Sequence, residues 1–321
     1  MPKHLADAVP AEPTPAPAGP RRIEIESFGG PEVLHLRDFE PRHPGEGEVL
    51  VRTEAVGINP FEWKYVAGLM SPTPPDFPVV PGSESSGVIE AVGSGVEWAV
   101  GDEVVVRQHL GAYATHRTVK AKNVWQKPAS VGFAAAAVLP VAGGTAWTAL
   151  RTLAITADDT LLIVNASGGV GSAAIQIARH LGARIIGTAS PDSADYVRRL
   201  GAEPVAYGEG LAERVRALQE EPDLGPVTAI LDLQGDEGTA AAIAELMPGL
   251  ERVTTAVGGA VGELGVEKFR SIPDDIRDAI SLAGAGGLVL EIASSFSLAD
   301  AGYALALSRN GHVRGKLVLR A

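Results

Sequence analysis

Cysteine is absent from all 321 residues of the chain. No disulfide can form, no thiolate can ligate zinc, and no cysteine can act as a nucleophile. A reducing, cytoplasmic setting is compatible with that absence. The chain also lacks an apolar run of membrane-spanning length. Residues 1–20 are dominated by proline and alanine and lack the apolar segment of a signal peptide. Arg21-Arg22 is followed by Ile23-Glu24-Ile25-Glu26, which is not the apolar stretch a twin-arginine signal needs. Residues 1–21 therefore read as a disordered tail. Basic residues are in deficit, 27 Lys and Arg against 39 Asp and Glu, for a formal net charge of -12. That balance argues against a nucleic-acid partner. Apolar residues make up 45% of the chain, enough for a globular protein with two real cores.

What the chain does carry is a glycine-rich turn in a specific setting. Leu161-Leu162-Ile163-Val164 reads as a buried strand, Asn165-Ala166-Ser167-Gly168-Gly169-Val170-Gly171 as the turn, and the run from Ala173 to Leu181 as a helix. The spacing Ala-x-Gly-x-x-Gly is a variant of the dinucleotide fingerprint, with Ala166 at the first glycine position. Glycines let the backbone approach a pyrophosphate, and the helix start offers free N–H groups and a favourable dipole. Ala166, Ser167, Gly168, Gly169, Val170 and Gly171 are thus candidate cofactor residues. The competing reading is an ordinary strand-to-helix turn.

Around that turn, strand and helix patterns alternate. Strands are expected at 161–165, 184–188, 228–232 and 252–257, and helices at 172–181, 192–200, 211–219 and 237–247. Such alternation specifies a parallel sheet covered by helices. Before Pro140 the signals are short, punctuated strands at 23–26, 48–56, 87–93 and 102–106, as in a partly open barrel. Further expected elements are a strand at 288–290, an amphipathic segment at 298–309 and a closing strand at 313–319. The fold class is α/β: a barrel-like domain of residues 22–139 and 286–321, with a doubly wound parallel-sheet domain of residues 140–285 inserted.

In such a sheet the end of the second strand faces the adenine ribose. Gly187-Thr188-Ala189-Ser190 carries hydroxyls there and no carboxylate, which favours NADPH over NADH. Ser190 either contacts the cofactor or caps the helix that starts near Pro191. Asp232 ends the third of these strands and Ala256-Val257-Gly258-Gly259 the fourth, so Val257 and Gly258 should border the nicotinamide half.

The chain resembles the zinc-independent, quinone oxidoreductase-like branch of the medium-chain dehydrogenase/reductase superfamily. The residues that carry the resemblance run through most of its length. They are Phe28-Gly29-Gly30-Pro31-Glu32-Val33-Leu34, Gly57-Ile58-Asn59-Pro60-Phe61-Glu62-Trp63-Lys64 and Pro81-Gly82-Ser83-Glu84-Ser85-Ser86-Gly87. Val100-Gly101-Asp102-Glu103-Val104, Gly111-Ala112-Tyr113-Ala114, Gly144-Thr145-Ala146-Trp147 and Gly311-His312-Val313-Arg314-Gly315-Lys316-Leu317 continue it. The resemblance implies a GroES-like domain, a Rossmann NADP-binding domain and reduction of quinones, enals or enones in the cleft between them. It also implies a cytoplasmic homodimer acting on a small molecule. Zinc-dependent members carry a Cys where Asn59 stands and Gly-His-Glu where Gly82-Ser83-Glu84 stands, so no metal is expected.

By the same resemblance Asn59 faces the pocket and donates to the substrate oxygen; as a bare sequence it is equally a turn residue before Pro60. Lys64 either stabilises the developing enolate or is a solvent-exposed lysine. Thr145 lies near the nicotinamide and Tyr207 by the adenosine phosphate. Arg314 and Lys316 either help hold the cofactor phosphates or only flank the closing strand. Rival functions on this fold are an enoyl reductase of a biosynthetic pathway and a non-catalytic NADPH-binding sensor.

Overall fold

The computed structural model describes residues 19–70, 73–269, 272–311 and 313–321. Nearly all of the tail expected at residues 1–21 lies outside them. The chain opens with an antiparallel pair, β1 (Arg21–Glu24) and β2 (His35–Asp38). The long strand β3 (Glu48–Ile58) runs straight into α1 (Pro60–Val66). Asn59 is extended there, and Pro60 at the first helical position has no N–H to leave unpaired. β4 (Glu84–Val92), β5 (Glu103–Arg107), β6 (His116–Lys120), β7 (Val124–Gln126) and α2 (Phe133–Ala137) follow.

A π-helical turn, Leu139–Gly143, leads through α3 (Gly144–Thr152) into the second domain. Its elements are β8 (Thr160–Ile163), α4 (Gly169–His180), β9 (Arg184–Ala189), α5 (Pro191–Leu200), β10 (Glu203–Ala206) and α6 (Leu211–Gln219). β11 (Ala229–Asp232), α7 (Glu237–Leu246), β12 (Val253–Thr255), α8 (Gly259–Glu263) and α9 (Pro273–Gly284) complete it. The chain then returns through β13 (Ile292–Ser297), α10 (Ala301–Asn310) and β14 (Lys316–Arg320).

The five strands of the second domain are all parallel, in the order β10-β9-β8-β11-β12. Leu161 and Ile163 of β8 point into one core and Leu162 into the other, so both faces are covered and the strand reads as one apolar run. The order reverses beside β8, and the crevice at its carboxyl end is where such sheets bind ligands. The first domain is a seven-stranded sheet in the order β13-β14-β3-β4-β5-β7, with β6 also paired to β3. Bulges between β3 and β4 bend it, and it stays open. Among the described residues no helix is long and apolar enough to cross a membrane.

The structure departs from the sequence pattern in several elements: β2, β6, β7, β13 and α9 lie where none was expected, and three further differences have a clear physical cause. Residues 288–290 are not a strand, although Leu288 and Leu290 are buried and Val289 is 65% exposed. The Gln176 side chain takes the place of a neighbouring strand: its amide donates to the Val289 carbonyl and accepts from the Val289 N–H, both at 2.9 Å. The closing strand starts only at Lys316, because Gly315 has a positive φ and donates to the Ser167 carbonyl at 3.1 Å. β10 had no legible signal; it is an edge strand in which only Val205 is buried and Pro204 is tolerated.

At the opposite end of the parallel sheet, Asp159 clamps the starts of three strands. Its carboxylate accepts from Arg252, from Thr228 Oγ1 at 2.7 Å and from the Thr156 N–H at 2.8 Å. The Arg252 guanidinium holds this carboxyl well below the usual carboxylate range. A depressed folded-state pKa means stabilisation that is complete above the ordinary value of about 3.9 and is lost as pH falls through the folded value. Asp159→Asn should therefore unfold at lower urea than the parent at pH 7. That deficit should narrow as pH drops below about 4. Equal midpoints at pH 7 would remove the clamp from the account.

Candidate cofactor and active site

The glycine turn follows β8 directly. Asn165 has a φ of +62°, and its N–H donates to Thr188 Oγ1 at 2.8 Å. The Ala166 N–H donates to the Thr188 carbonyl at 3.0 Å, which fastens the turn to β9. Ala166 at the first glycine position is accommodated by another glycine: a Cβ on Gly187 would lie 2.7 Å from the Ala166 Cβ. A Cβ on Gly171 would lie 2.3 Å from the Asn165 carbonyl oxygen, so α4 packs directly on the turn. No side chain caps α4 at Gly168. The N–H groups of Val170 and Gly171, in the first turn, have no intrahelical acceptor. A bare backbone cradle at the start of a twelve-residue helix fits a dinucleotide pyrophosphate.

The remaining candidates line the carboxyl ends of the strands. Ser190 opens α5, and its hydroxyl makes no capping hydrogen bond. Tyr207 is exposed on the loop after β10. Arg214 stiffens that loop by donating to the carbonyls of Ala206, Gly208 and Glu209 at 2.8–3.2 Å. Asp232 was read only as a strand end, and the structure makes it the organiser of two loops. One carboxylate oxygen accepts from the N–H groups of Gln234 and Gly235 at 2.9 and 3.0 Å, and the other from Thr255 Oγ1 at 2.7 Å. Thr255 Oγ1 in turn accepts from the N–H groups of Val257 and Gly258 at 3.2 and 3.0 Å. Thr145 lies in the first turn of α3, partly exposed.

Beneath the turn lies a buried polar network. Asn59 Nδ2 donates to Glu84 Oε1 at 2.9 Å, and Asn59 Oδ1 accepts from Lys316 Nζ. Lys316 Nζ also donates to the Ile58 carbonyl at 3.0 Å and meets Glu84 Oε1 at 3.3 Å. The other Glu84 oxygen accepts from the Val141 N–H at 2.7 Å, in the π-helical turn that joins the domains. Gly57 makes room for that carboxylate, since a Cβ there would fall 2.3 Å from Glu84 Oε1. Glu62 accepts from the Asn59 N–H and from Ser83 Oγ, both at 2.7 Å. Burial pushes the Glu62 carboxyl up from its ordinary value.

Two basic residues of the tail motif are held by partners within the chain itself. Lys316 does not hold its ammonium out toward a phosphate; all three N–H groups are engaged inside the network. Only its methylene stem meets the turn, with Cδ 2.5 Å from where a Gly169 Cβ would stand. Arg314 is engaged as well, donating to Glu291 at 2.7 and 3.0 Å and lying over the Tyr196 ring. Lys64 lies near the Trp63 ring, 5.6 Å from its centroid, and joins no hydrogen bond of the network. Glu62 and Glu84 were missed as site residues. The signal was present for Glu84, which aligns with the glutamate of Gly-His-Glu in zinc dehydrogenases. Among the described residues no group of three or more His, Asp or Glu is arranged to hold a metal.

A GroES-like sheet, a Rossmann sheet and a glycine cradle facing the junction between them define a two-domain dinucleotide-binding protein. Family models agree: residues 45–145 match the alcohol dehydrogenase GroES-like domain and residues 169–284 the zinc-binding dehydrogenase domain. A chloroplast envelope quinone oxidoreductase homolog of Arabidopsis thaliana is 30% identical over 326 residues, 92% of this chain and 97% of that protein. The quinone oxidoreductase of Pseudomonas aeruginosa is 39% identical over 206 residues, covering 62% of this chain and 63% of that protein. The chain thus spans about three fifths of the length of the bacterial relatives it matches. The crystal structure of Escherichia coli quinone oxidoreductase complexed with NADPH superposes with a TM-score of 0.83 at 29% identity, over 94% of this chain and 100% of that one. The chain belongs to the medium-chain dehydrogenase/reductase superfamily, in its quinone oxidoreductase-like branch.

Proposed function

We propose that the protein is an NADPH-dependent oxidoreductase that reduces quinones or the activated C=C bonds of enals and enones. One observation carries the reading: Lys316 joins the two halves of the site, its stem against Gly169 of the cradle and its ammonium on Asn59. Residues 166–171 would hold the pyrophosphate, with Ser190 and Tyr207 toward the adenosine and Thr145, Val257 and Gly258 toward the nicotinamide. The absence of a carboxylate at Ala189-Ser190 and the NADPH in the E. coli structure support NADPH. When bound, this cofactor supplies a hydride.

The network supports a donor role for Asn59. The ammonium sets Oδ1 and the Glu84 carboxylate takes one Nδ2 hydrogen, so the amide has a single orientation. Its second Nδ2 hydrogen is left to donate to a substrate oxygen. Negative charge builds on that oxygen as the substrate carbon gains its new C–H bond, and a fixed donor there lowers the barrier. The electron pair displaced onto oxygen is neutralised by a proton from solvent.

The test is NADPH consumption, followed by absorbance, against a panel of quinones, enals and enones. The wild type is expected to turn over at least one acceptor, and Asn59→Ala to lower kcat on the order of 100-fold. Tight NADPH binding with every acceptor left unreduced would replace the reductase reading with a sensor.

A further inference from the structure

Arg107 and Arg117 are two cations beside the site that no carboxylate answers. Arg107 ends β5 in register with Glu84, and its Nη1 donates to the Ser83 carbonyl at 3.1 Å. Arg117 on β6 is 5% exposed. Its Nη1 donates to Ser85 Oγ at 3.2 Å and its Nη2 to the Leu110 carbonyl at 3.0 Å. Its Nε is buried with no acceptor. Among the described residues neither guanidinium makes an ion pair; each bonds only neutral oxygens.

The location ties this pair to Asn59. Ser83 and Ser85 are two apart along the chain at the start of β4, so the two arginines converge on one stretch of backbone. The Ser83 hydroxyl donates to Glu62, the carboxyl group that also accepts from the Asn59 N–H. Two residues beyond Arg107, the exposed His109 ring stands 5.2 Å from Phe61 and 6.2 Å from Tyr65, both on α1. His109 therefore borders the helix that Asn59 opens, and Arg107 precedes it by two residues at the end of β5. The nearby carboxyl groups are already engaged, Glu84 with Lys316 and Glu62 with Ser83. Burial and the Arg107 charge pull Arg117 down to about 9, and the same two causes lower the His109 ring. A buried cation without a counter-charge is costly, and in a chain of net charge -12 this one stands out.

We propose that Arg107, backed by the buried charge of Arg117, binds a carboxylate on the substrate, so that the preferred acceptor is a carboxylate-bearing enone or quinone. A planar guanidinium matches a carboxylate with two parallel hydrogen bonds and anchors the acceptor at its non-reacting end. The proposal rests on the reductase reading for the chemistry, and its binding test stands apart from turnover. Levulinate and its uncharged methyl ester are titrated calorimetrically into the full chain loaded with NADP+. Levulinate is expected to bind at least about 10-fold more tightly than the ester. Arg107→Gln should weaken levulinate roughly 10- to 100-fold, and Arg107→Lys should retain part of the preference. In turnover, the ratio of kcat/KM for acetylacrylate over its methyl ester should fall by a similar factor in Arg107→Gln.

Equal binding of acid and ester, or unchanged levulinate binding in Arg107→Gln, would overturn the proposal while an active ester substrate left the reductase reading standing. Levulinate held through Arg107 with neither acceptor reduced would support the anion site and sink the reductase reading. Inorganic phosphate displacing levulinate at equal concentration would overturn the assignment to carboxylate.

Discussion

Gly171→Val is expected to abolish measurable NADPH binding, with Kd rising by roughly 100-fold or more. A Cβ at this position would lie 2.3 Å from the Asn165 carbonyl oxygen, 2.7 Å from the Ala166 Cα and 2.8 Å from the Ala166 carbonyl carbon. All three are backbone atoms of the turn, so no side chain can swing aside. α4 must move off the turn, and the N–H groups of Val170 and Gly171 go with it. Because the cradle works through the position of its backbone donors, a shift of about 1 Å removes the interaction that binds the diphosphate. Overpacking of this kind also costs about 1–3 kcal/mol of stability. Gly132→Ala serves as the control, since no atom lies within 4 Å of its added Cβ. Calorimetric titration with NADPH separates the two. Wild-type affinity in a folded Gly171→Val protein would mean that the cofactor sits elsewhere.

Lys316→Met is expected to be the most destabilising single change at the site. It leaves the Glu84 carboxylate, fully buried, without its ammonium partner, and it frees Asn59 Oδ1. Removing one member of a buried ion pair costs about 3–5 kcal/mol, because the remaining charge stays desolvated. Removing both charges avoids that cost. The double variant Lys316→Met with Glu84→Gln should therefore lose less than the sum of the two single changes, and the cycle should return a coupling well above about 1 kcal/mol. Urea unfolding at pH 7 measures all four corners. Additive losses would show that Lys316 and Glu84 act independently. A second readout follows from the lysine stem, which packs against Gly169: NADPH affinity should fall in Lys316→Ala even under conditions where the protein remains folded.

The parallel sheet was legible because its signals are local. β8 is apolar on both faces, the turn after it is rich in glycine, and α4 begins within the same seven residues. The glycine candidates from Ala166 to Gly171 stand together in the structure for that reason. The failures were non-local. The run at 288–290 looked like a strand because Leu288-Val289-Leu290 is a short run of apolar residues, yet a glutamine side chain from α4 satisfies the backbone there. Arg314 and Lys316 were read together from the tail motif, either as phosphate contacts or as residues that only flank the closing strand. The turn at Gly315 sends them to different places, Arg314 to Glu291 and Lys316 into the network.

Sequence alone therefore determined the two-domain α/β plan, the glycine cradle and the absence of thiolate chemistry, since each depends on neighbours along the chain or on composition. Only the tertiary structure decided what surrounds Asn59. Its partners lie 25 and 257 positions away, at Glu84 and Lys316. Buried charges have no period, and their pairing follows from which strands the sheet sets side by side. Closing β14 against β3 brings the last lysine of the chain beneath the glycine turn, and desolvation then requires it to find a carboxylate and an amide there.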